Sequence, residues 1–216
     1  MSEKTVVPLR ETALVLIDVQ RDFCSPDGKM AAWGADLSAI DAAADRIERL
    51  AAAARGAGMP VVFVALVTSP DTDSPAMLEW YGRQGIDASA AAVCRSGTEG
   101  AAYYRIFPAA GDLQVTKQRY SAFVGTNLEL LLRSKGIRKL VAAGFTTECC
   151  VESTVRDGFM RDYETFVVSD ACAAYERDLH DASLKSMALN FATVVSTEQA
   201  LWSWENEQRG GIHDHR

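Results

Sequence analysis

The chain has 216 residues, with 22 Lys and Arg against 29 Asp and Glu, a formal net charge of −7, and 48% hydrophobic residues. That composition excludes a disordered, collagen-like or disulfide-scaffold chain, and the acidic balance argues against nucleic acid, whose binding needs a dense basic face. No apolar stretch approaches the ~20 residues of a membrane span, and the first residues lack the apolar core of an export signal. The expectation is therefore a cytoplasmic protein whose partner is a small molecule, with no nucleic acid and no membrane.

Six runs rich in Val, Leu and Ile read as strands: residues 13–19, 61–67, 113–116, 139–143, 165–169 and 193–196. Their apolarity is continuous rather than alternating, the pattern of strands covered on both faces. Between the first two, Leu37, Ile40, Ala44, Ile47, Leu50 and Ala54 recur at helical steps until Gly56 and Gly58 close the segment. Residues 68–111 break the alternation. This long stretch carries Pro70, Pro75, Trp80, Tyr81, Tyr103 and Tyr104, and connections of such length usually form lids or interaction surfaces, here with some helix inside. Further helices are expected at 126–135, 149–161 and 179–190. Alternating strands and helices imply an α/β fold, a doubly wound, mainly parallel six-stranded sheet flanked by helices, as a single domain over residues 1–208. Residues 209–216, with His213 and His215, read as a flexible tail. Cys24, Cys94, Cys149, Cys150 and Cys172 are odd in number and scattered, which fits reduced thiols and offers no zinc or redox pair.

Ligands of open parallel sheets bind beyond the carboxyl ends of the strands, and three strand ends carry reactive groups. The first run reaches Asp18, the third Lys117, and the fourth enters Gly144-Phe-Thr-Thr-Glu-Cys-Cys-Val151, where a turn into a helix places a cysteine near the helix start. The helix dipole and a nearby ammonium favour a thiolate there, so the thiol is expected to ionise more readily than a free one. An Asp within reach can take the thiol proton and later activate water, and unpaired backbone N–H groups can hold an oxyanion. Each residue alone has an ordinary explanation: a buried Cys as a small hydrophobe, an Asp as a turn former, a Lys as a solvated charge.

The strings Leu14-Val-Leu-Ile-Asp-Val-Gln-Arg-Asp-Phe23, Lys117 with Arg119-Tyr-Ser-Ala-Phe-Val-Gly-Thr-Asn-Leu128, Gly144 to Val151 and Ser169-Asp-Ala171 together resemble the isochorismatase-like cysteine hydrolase superfamily, over residues 12–200. The resemblance implies Asp18 as general base, Lys117 as electrostatic stabiliser and Cys150 as nucleophile. It also implies a cis peptide between Phe145 and Thr146, and an oxyanion hole built from the amides of Thr146 and Cys150. The overall pattern looks most like ureidoacrylate, biuret and N-carbamoyl amidohydrolases, which implies metal-independent hydrolysis of a small ureide with ammonia release, without cofactor, in a homo-oligomer, dimer or tetramer. A vinyl-ether hydrolase of the isochorismatase type and a nicotinamidase-like amidase are the alternatives; residues 68–73 lack the histidine of the nicotinamidase metal motif. Phe23, Trp33, Tyr120 and Phe123 are candidate walls of the substrate pocket, Arg119 a candidate carboxylate partner, and Asn190 a candidate substrate-binding carboxamide. Glu148 reads as a favourable charge at the helix start rather than a catalytic group.

Overall fold

The computed structural model describes residues 6–211. Six strands form one sheet: β1 (Thr12–Ile17), β2 (Val61–Leu66), β3 (Leu113–Lys117), β4 (Lys139–Phe145), β5 (Glu164–Ala173) and β6 (Thr193–Val195). Their order is β3-β2-β1-β4-β5-β6, and every pair is parallel. The order reverses between β1 and β4, so the crevice where doubly wound sheets bind ligands opens between the ends of these two strands.

The principal helices are α1 (Arg21–Cys24), α2 (Lys29–Ala32), α3 (Ile40–Gly56), α4 (Pro75–Arg83), α5 (Leu128–Ser134), α6 (Glu152–Phe159), α7 (Arg177–Asn190) and α8 (Thr197–Gly211). A π-type turn, Thr147–Val151, leads directly into α6. Because successive side chains of a strand point to opposite faces, β1 divides its residues between two cores. Leu14 and Leu16 pack with Ile47, Leu50, Phe63 and Trp204 on the α3 and α8 side. Ala13, Val15 and Ile17 pack with Leu128, Leu132, Val155 and Met187 on the α5, α6 and α7 side.

Several boundaries differ from the sequence expectation. β1 stops at Ile17 because Asp18 turns into the left-handed region at φ 53°, which Asp tolerates better than most residues. β4 and β5 run on to Phe145 and Ala173, since a register shift between Ala142 and Gly144 lets Gly144 pair with Cys172. α8 has no counterpart in the sequence reading. It buries Ala200, Ser203 and Trp204 and continues through Gly211, so residues 209–211 are helical rather than part of a tail, while residues 212–216, with His213 and His215, lie outside the described residues. Asp170 sits at its start: Oδ1 accepts from Thr197 N (2.8 Å) and Thr197 Oγ1 (2.9 Å), and Oδ2 lies 3.0 Å from Arg46 Nε on α3. That role accounts for the carboxylate of the Ser169-Asp-Ala171 block.

The stretch 68–111 is anchored at several points. Asp22 is buried, its Oδ2 accepts from Cys94 N at 2.6 Å and its Oδ1 from Lys29 N at 3.2 Å. Arg95 pairs with Asp73 through two bonds of 2.8 and 2.9 Å. At Gly100 an added Cβ would lie 2.3 Å from Asp22 Oδ1, so the close approach needs glycine. No helix among the described residues is long and apolar enough to cross a membrane.

Candidate active site

Asp18, Lys117 and Cys150 come from the ends of three different strands and meet in one buried cluster. The Lys117 ammonium lies 2.8 Å from Asp18 Oδ2, donates to Cys150 Sγ at 3.3 Å, and donates to the Arg119 carbonyl at 3.0 Å. β3 is separated from β1 by β2, a gap of roughly 10 Å at ordinary strand spacing, and a lysine stem is long enough to span it. Asp18 and Lys117 are fully buried and Cys150 keeps 5% exposure. Asp18 Oδ1 accepts the amide of Leu66 at 3.0 Å, while Oδ2 has no hydrogen-bonding neighbour besides the ammonium, so one lone pair remains for a proton.

A buried glutamine holds this arrangement. Gln20 Oε1 accepts the same Leu66 amide at 2.8 Å, and its Nε2 donates to the carbonyls of Leu66 and Ala101, both at 2.8 Å. The end of β1 is thereby tied to the end of β2 and to the far part of the 68–111 stretch. Gly144 brings β4 against β1. Its φ is 133°, and a Cβ there would lie 2.0 Å from Ile17 O, the carbonyl just before Asp18.

The Phe145–Thr146 peptide is cis. In the π-type turn that follows, the first amide to find an i−5 partner is that of Val151, on Thr146 O at 3.2 Å. The Cys150 amide, one residue earlier, has no such partner inside the turn. The turn is braced from α7 by Thr147 Oγ1 against His180 Nδ1 at 2.8 Å and by Ser183 Oγ on Thr147 O at 3.2 Å. Burial lowers the His180 pKa below its ordinary value, so the ring rests neutral in this contact.

The electrostatics correct one expectation. The Cys150 thiol is pushed well above its ordinary value, first by its hydrogen bond with Cys149, then by burial and by the charge of Asp18, against the favourable pull of Lys117. Ionising it would place two negative charges against one ammonium in a site poor in water. Burial also works against the Lys117 ammonium, but Asp18 and Cys150 outweigh it, and its pKa lies above the ordinary value. The resting cluster is thus carboxylate, ammonium and neutral thiol.

The other residues singled out from the sequence separate. Tyr120 stands beside the cluster: its hydroxyl meets Met77 Sδ of α4 at 3.4 Å, and burial followed by the charges of Cys149 and Tyr81 pushes its pKa up to about 12. Phe23 is buried in the core, with its carbonyl accepting from Tyr175 Oη at 2.9 Å. Arg119 donates through Nη1 to the carbonyls of Thr72 (2.9 Å) and Gln118 (2.7 Å), which ties the approach to α4 to the end of β3. Trp33 is 51% exposed at the end of α2. Phe123 stacks at 5.8 Å on Tyr163, beside the first residue of β5, under the Arg161 guanidinium, which places it at the opposite edge of the sheet. Asn190 closes α7 at that same far edge. It is exposed and donates to Ser186 O at 3.3 Å, and the next carbonyl, Phe191 O, accepts from Thr165 at the start of β5. Neither Phe123 nor Asn190 can line a pocket above Cys150. The sequence reading missed Gln20, His180, Met77 and Tyr81, and gave Glu148 only a dipole role.

A thiol, a carboxylate and an ammonium buried at the switch point of a parallel sheet define a class, hydrolases that act through cysteine. The Isochorismatase domain model matches residues 12–199, and the chain belongs to that family. It is 34% identical over 204 residues to a ureidoacrylate amidohydrolase, RutB, of Methylobacterium radiotolerans, covering 88% of this chain and 79% of that protein. Among solved structures, a cysteine hydrolase from Pseudomonas syringae pv. phaseolicola superposes with a TM-score of 0.82 at 25% identity, over 95% of this chain and 99% of that one. N-carbamoylsarcosine amidase from Thermoplasma acidophilum superposes with a TM-score of 0.67 at 29% identity, over 86% and 96%.

Proposed function

We propose that this hydrolase cleaves a non-peptide C–N bond, the terminal amide of a small ureido or carbamoyl compound, through a covalent Cys150 intermediate and without a metal. The observation that carries the reading is the unbroken Asp18–Lys117–Cys150 chain at 2.8 and 3.3 Å, sealed from water. The 34% identity to a ureidoacrylate amidohydrolase and the likeness to an N-carbamoylsarcosine amidase support cleavage of a C–N bond in a ureido or carbamoyl group, whatever the rest of the molecule carries.

The thiol rests protonated, so its proton leaves as the S–C bond forms. Asp18 Oδ2 receives it while Lys117 holds the growing negative charge on sulfur. The carbonyl oxygen becomes an oxyanion facing the amides of Thr146 and Cys150, where one donor is typically worth ~3–4 kcal/mol. Asp18 then returns the proton to the leaving nitrogen, and ammonia departs. Water attacks the carbamoyl thioester, gives its proton to Asp18, and the thiol is regenerated with release of the carbamate. The overall balance is one amide and one water to one carbamic acid and one ammonia, which in water are a carbamate and an ammonium ion. Tyr120, whose hydroxyl meets Met77 beside the cluster, contacts the substrate, the chain acts in the cytoplasm, and a homo-oligomer is its working state.

Ammonia release from ureidoacrylate, biuret, N-carbamoylsarcosine and nicotinamide, after chelation, tests the proposal. Chelator-resistant turnover of a ureide that vanishes in Cys150→Ser is the expected result. Silence on all amides, with pyruvate formed from isochorismate by wild type and Cys150→Ala alike, overturns it.

A further inference from the structure

We propose that Glu148 is the substrate-selecting residue of this site, and that its free carboxylate oxygen restricts the enzyme to ureides that are neutral or cationic beyond the scissile amide, excluding those that carry a carboxylate. The proposal rests on the amidohydrolase reading above and deepens it.

Glu148 lies two residues before Cys150 in the same turn. Its Oε1 accepts from Thr146 Oγ1 at 2.8 Å, which fixes the side chain against the residue whose amide faces the oxyanion. Its Oε2 is sealed from solvent and has no hydrogen-bond partner. A buried carboxylate oxygen without a donor is costly, and native structures retain such atoms where something else supplies the donor. Among the described residues no cation pairs with it. Lys117 is committed to Asp18, Cys150 and the Arg119 carbonyl. The Tyr175 phenol, which senses the Glu148 carboxylate, donates its hydrogen bond to Phe23 O. The oxygen is therefore left for the ligand.

A ureide is suited to that position. Held with its carbonyl oxygen on the Thr146 and Cys150 amides, it directs N–H groups sideways, and a carboxylate accepts them in charge-assisted hydrogen bonds. A second amide, as in a biuret, or an amine adds donors. A carboxylate substituent adds only acceptors and a like charge, in a pocket whose ammonium is already neutralised by Asp18.

The test is steady-state kinetics on size-matched ureides, one carboxylate-bearing, one neutral and one amine-bearing, with direct binding of the same three to Cys150→Ser by calorimetry. Wild type should favour the neutral and amine-bearing compounds by about 10–100-fold in kcat/KM, the range of a hydrogen bond to a charged group. Glu148→Gln keeps an acceptor for Thr146 and should lose that preference chiefly through KM. Glu148→Asp retains the charge and should preserve the order with weaker binding. A wild-type preference for the carboxylate-bearing ureide, in turnover or in binding, overturns the proposal, as does an unchanged order in Glu148→Gln. If Glu148→Gln fails to fold, the wild-type order and Glu148→Asp decide. Charge-ordered binding to Cys150→Ser with no turnover of any ureide by wild type would instead sink the amidohydrolase reading and leave the selectivity standing.

Discussion

Replacing Asp18 by Asn should make Cys150 more reactive toward an external alkylating agent while abolishing turnover. Asn keeps an oxygen for the Leu66 amide that Asp18 Oδ1 now accepts at 3.0 Å, and nearly the same volume. What disappears is one negative charge. The ammonium lies 2.8 Å from Asp18 Oδ2 and 3.3 Å from the sulfur, so the carboxylate is within about 6 Å of the thiol by ordinary geometry. At an effective dielectric constant of about 20, that repulsion is worth ~2–3 kcal/mol, close to ~100-fold in the thiolate population at a pH where the thiol is mostly protonated. A less basic thiolate is also a poorer nucleophile, which removes about a factor of ten and leaves a net acceleration of about ten-fold. Iodoacetamide incorporation at Cys150, followed by mass spectrometry of the intact protein at neutral pH, measures it. Slower alkylation in Asp18→Asn than in wild type would refute the reasoning, because it would mean that the resting sulfur is already a thiolate that the carboxylate does not oppose.

Three further outcomes follow from the same geometry. Lys117→Met, which strips the cation from a fully buried pair, should cost about 3–5 kcal/mol in urea unfolding, and Asp18→Asn combined with it should recover much of the loss; a single-variant cost below about 1 kcal/mol would mean that the pair is solvated. Gly144→Ala should abolish activity and lower the melting temperature, since its Cβ would sit 2.0 Å from Ile17 O and β4 must move away from β1; a wild-type melting temperature with full activity would contradict that contact. His180 titrates below its ordinary 6.5 because burial favours the neutral ring. The unfolded chain therefore binds the proton more readily, and the contribution is complete above about pH 6.5 and is lost as pH falls through the lower folded value. His180→Gln should flatten that part of the urea-midpoint profile relative to wild type, and an unchanged slope would show that the ring titrates normally.

The fold was largely legible because its strands are buried on both faces, and continuous apolarity over residues 61–66 or 139–143 leaves few other interpretations. What escaped was set by contacts distant in sequence. β5 passes its expected end because Gly144 shifts the register of its neighbour, and no pattern within β5 itself announces that. α8 is held by Asp170 at its start and by Trp204 against the core, although its polar residues outnumber its apolar ones. α1 and α2, at four residues each, are too short to display a helical period.

The candidate site divides along the same line. Asp18, Lys117 and Cys150 were readable because a parallel sheet turns strand ends into a shared surface, so position along the chain already encodes proximity. Asn190 and Phe123 misled because a residue type suited to a pocket says nothing about which edge of the sheet it occupies; both belong to the edge where strands begin. Arg119 has Nη1 on two backbone carbonyls, partners that the sequence does not mark. Glu148 is the converse case. A carboxylate near a helix start has a sufficient local explanation in the dipole, and only the three-dimensional arrangement reveals that one of its oxygens is tied to Thr146 while the other is buried without a donor. The clustered groups are thus fixed by topology, whereas the proposed selectivity depends on which polar atoms the folded chain leaves unpaired. On that proposal, a chain can keep the whole Asp–Lys–Cys cluster and change its substrate by altering a single side chain in the turn that carries Cys150.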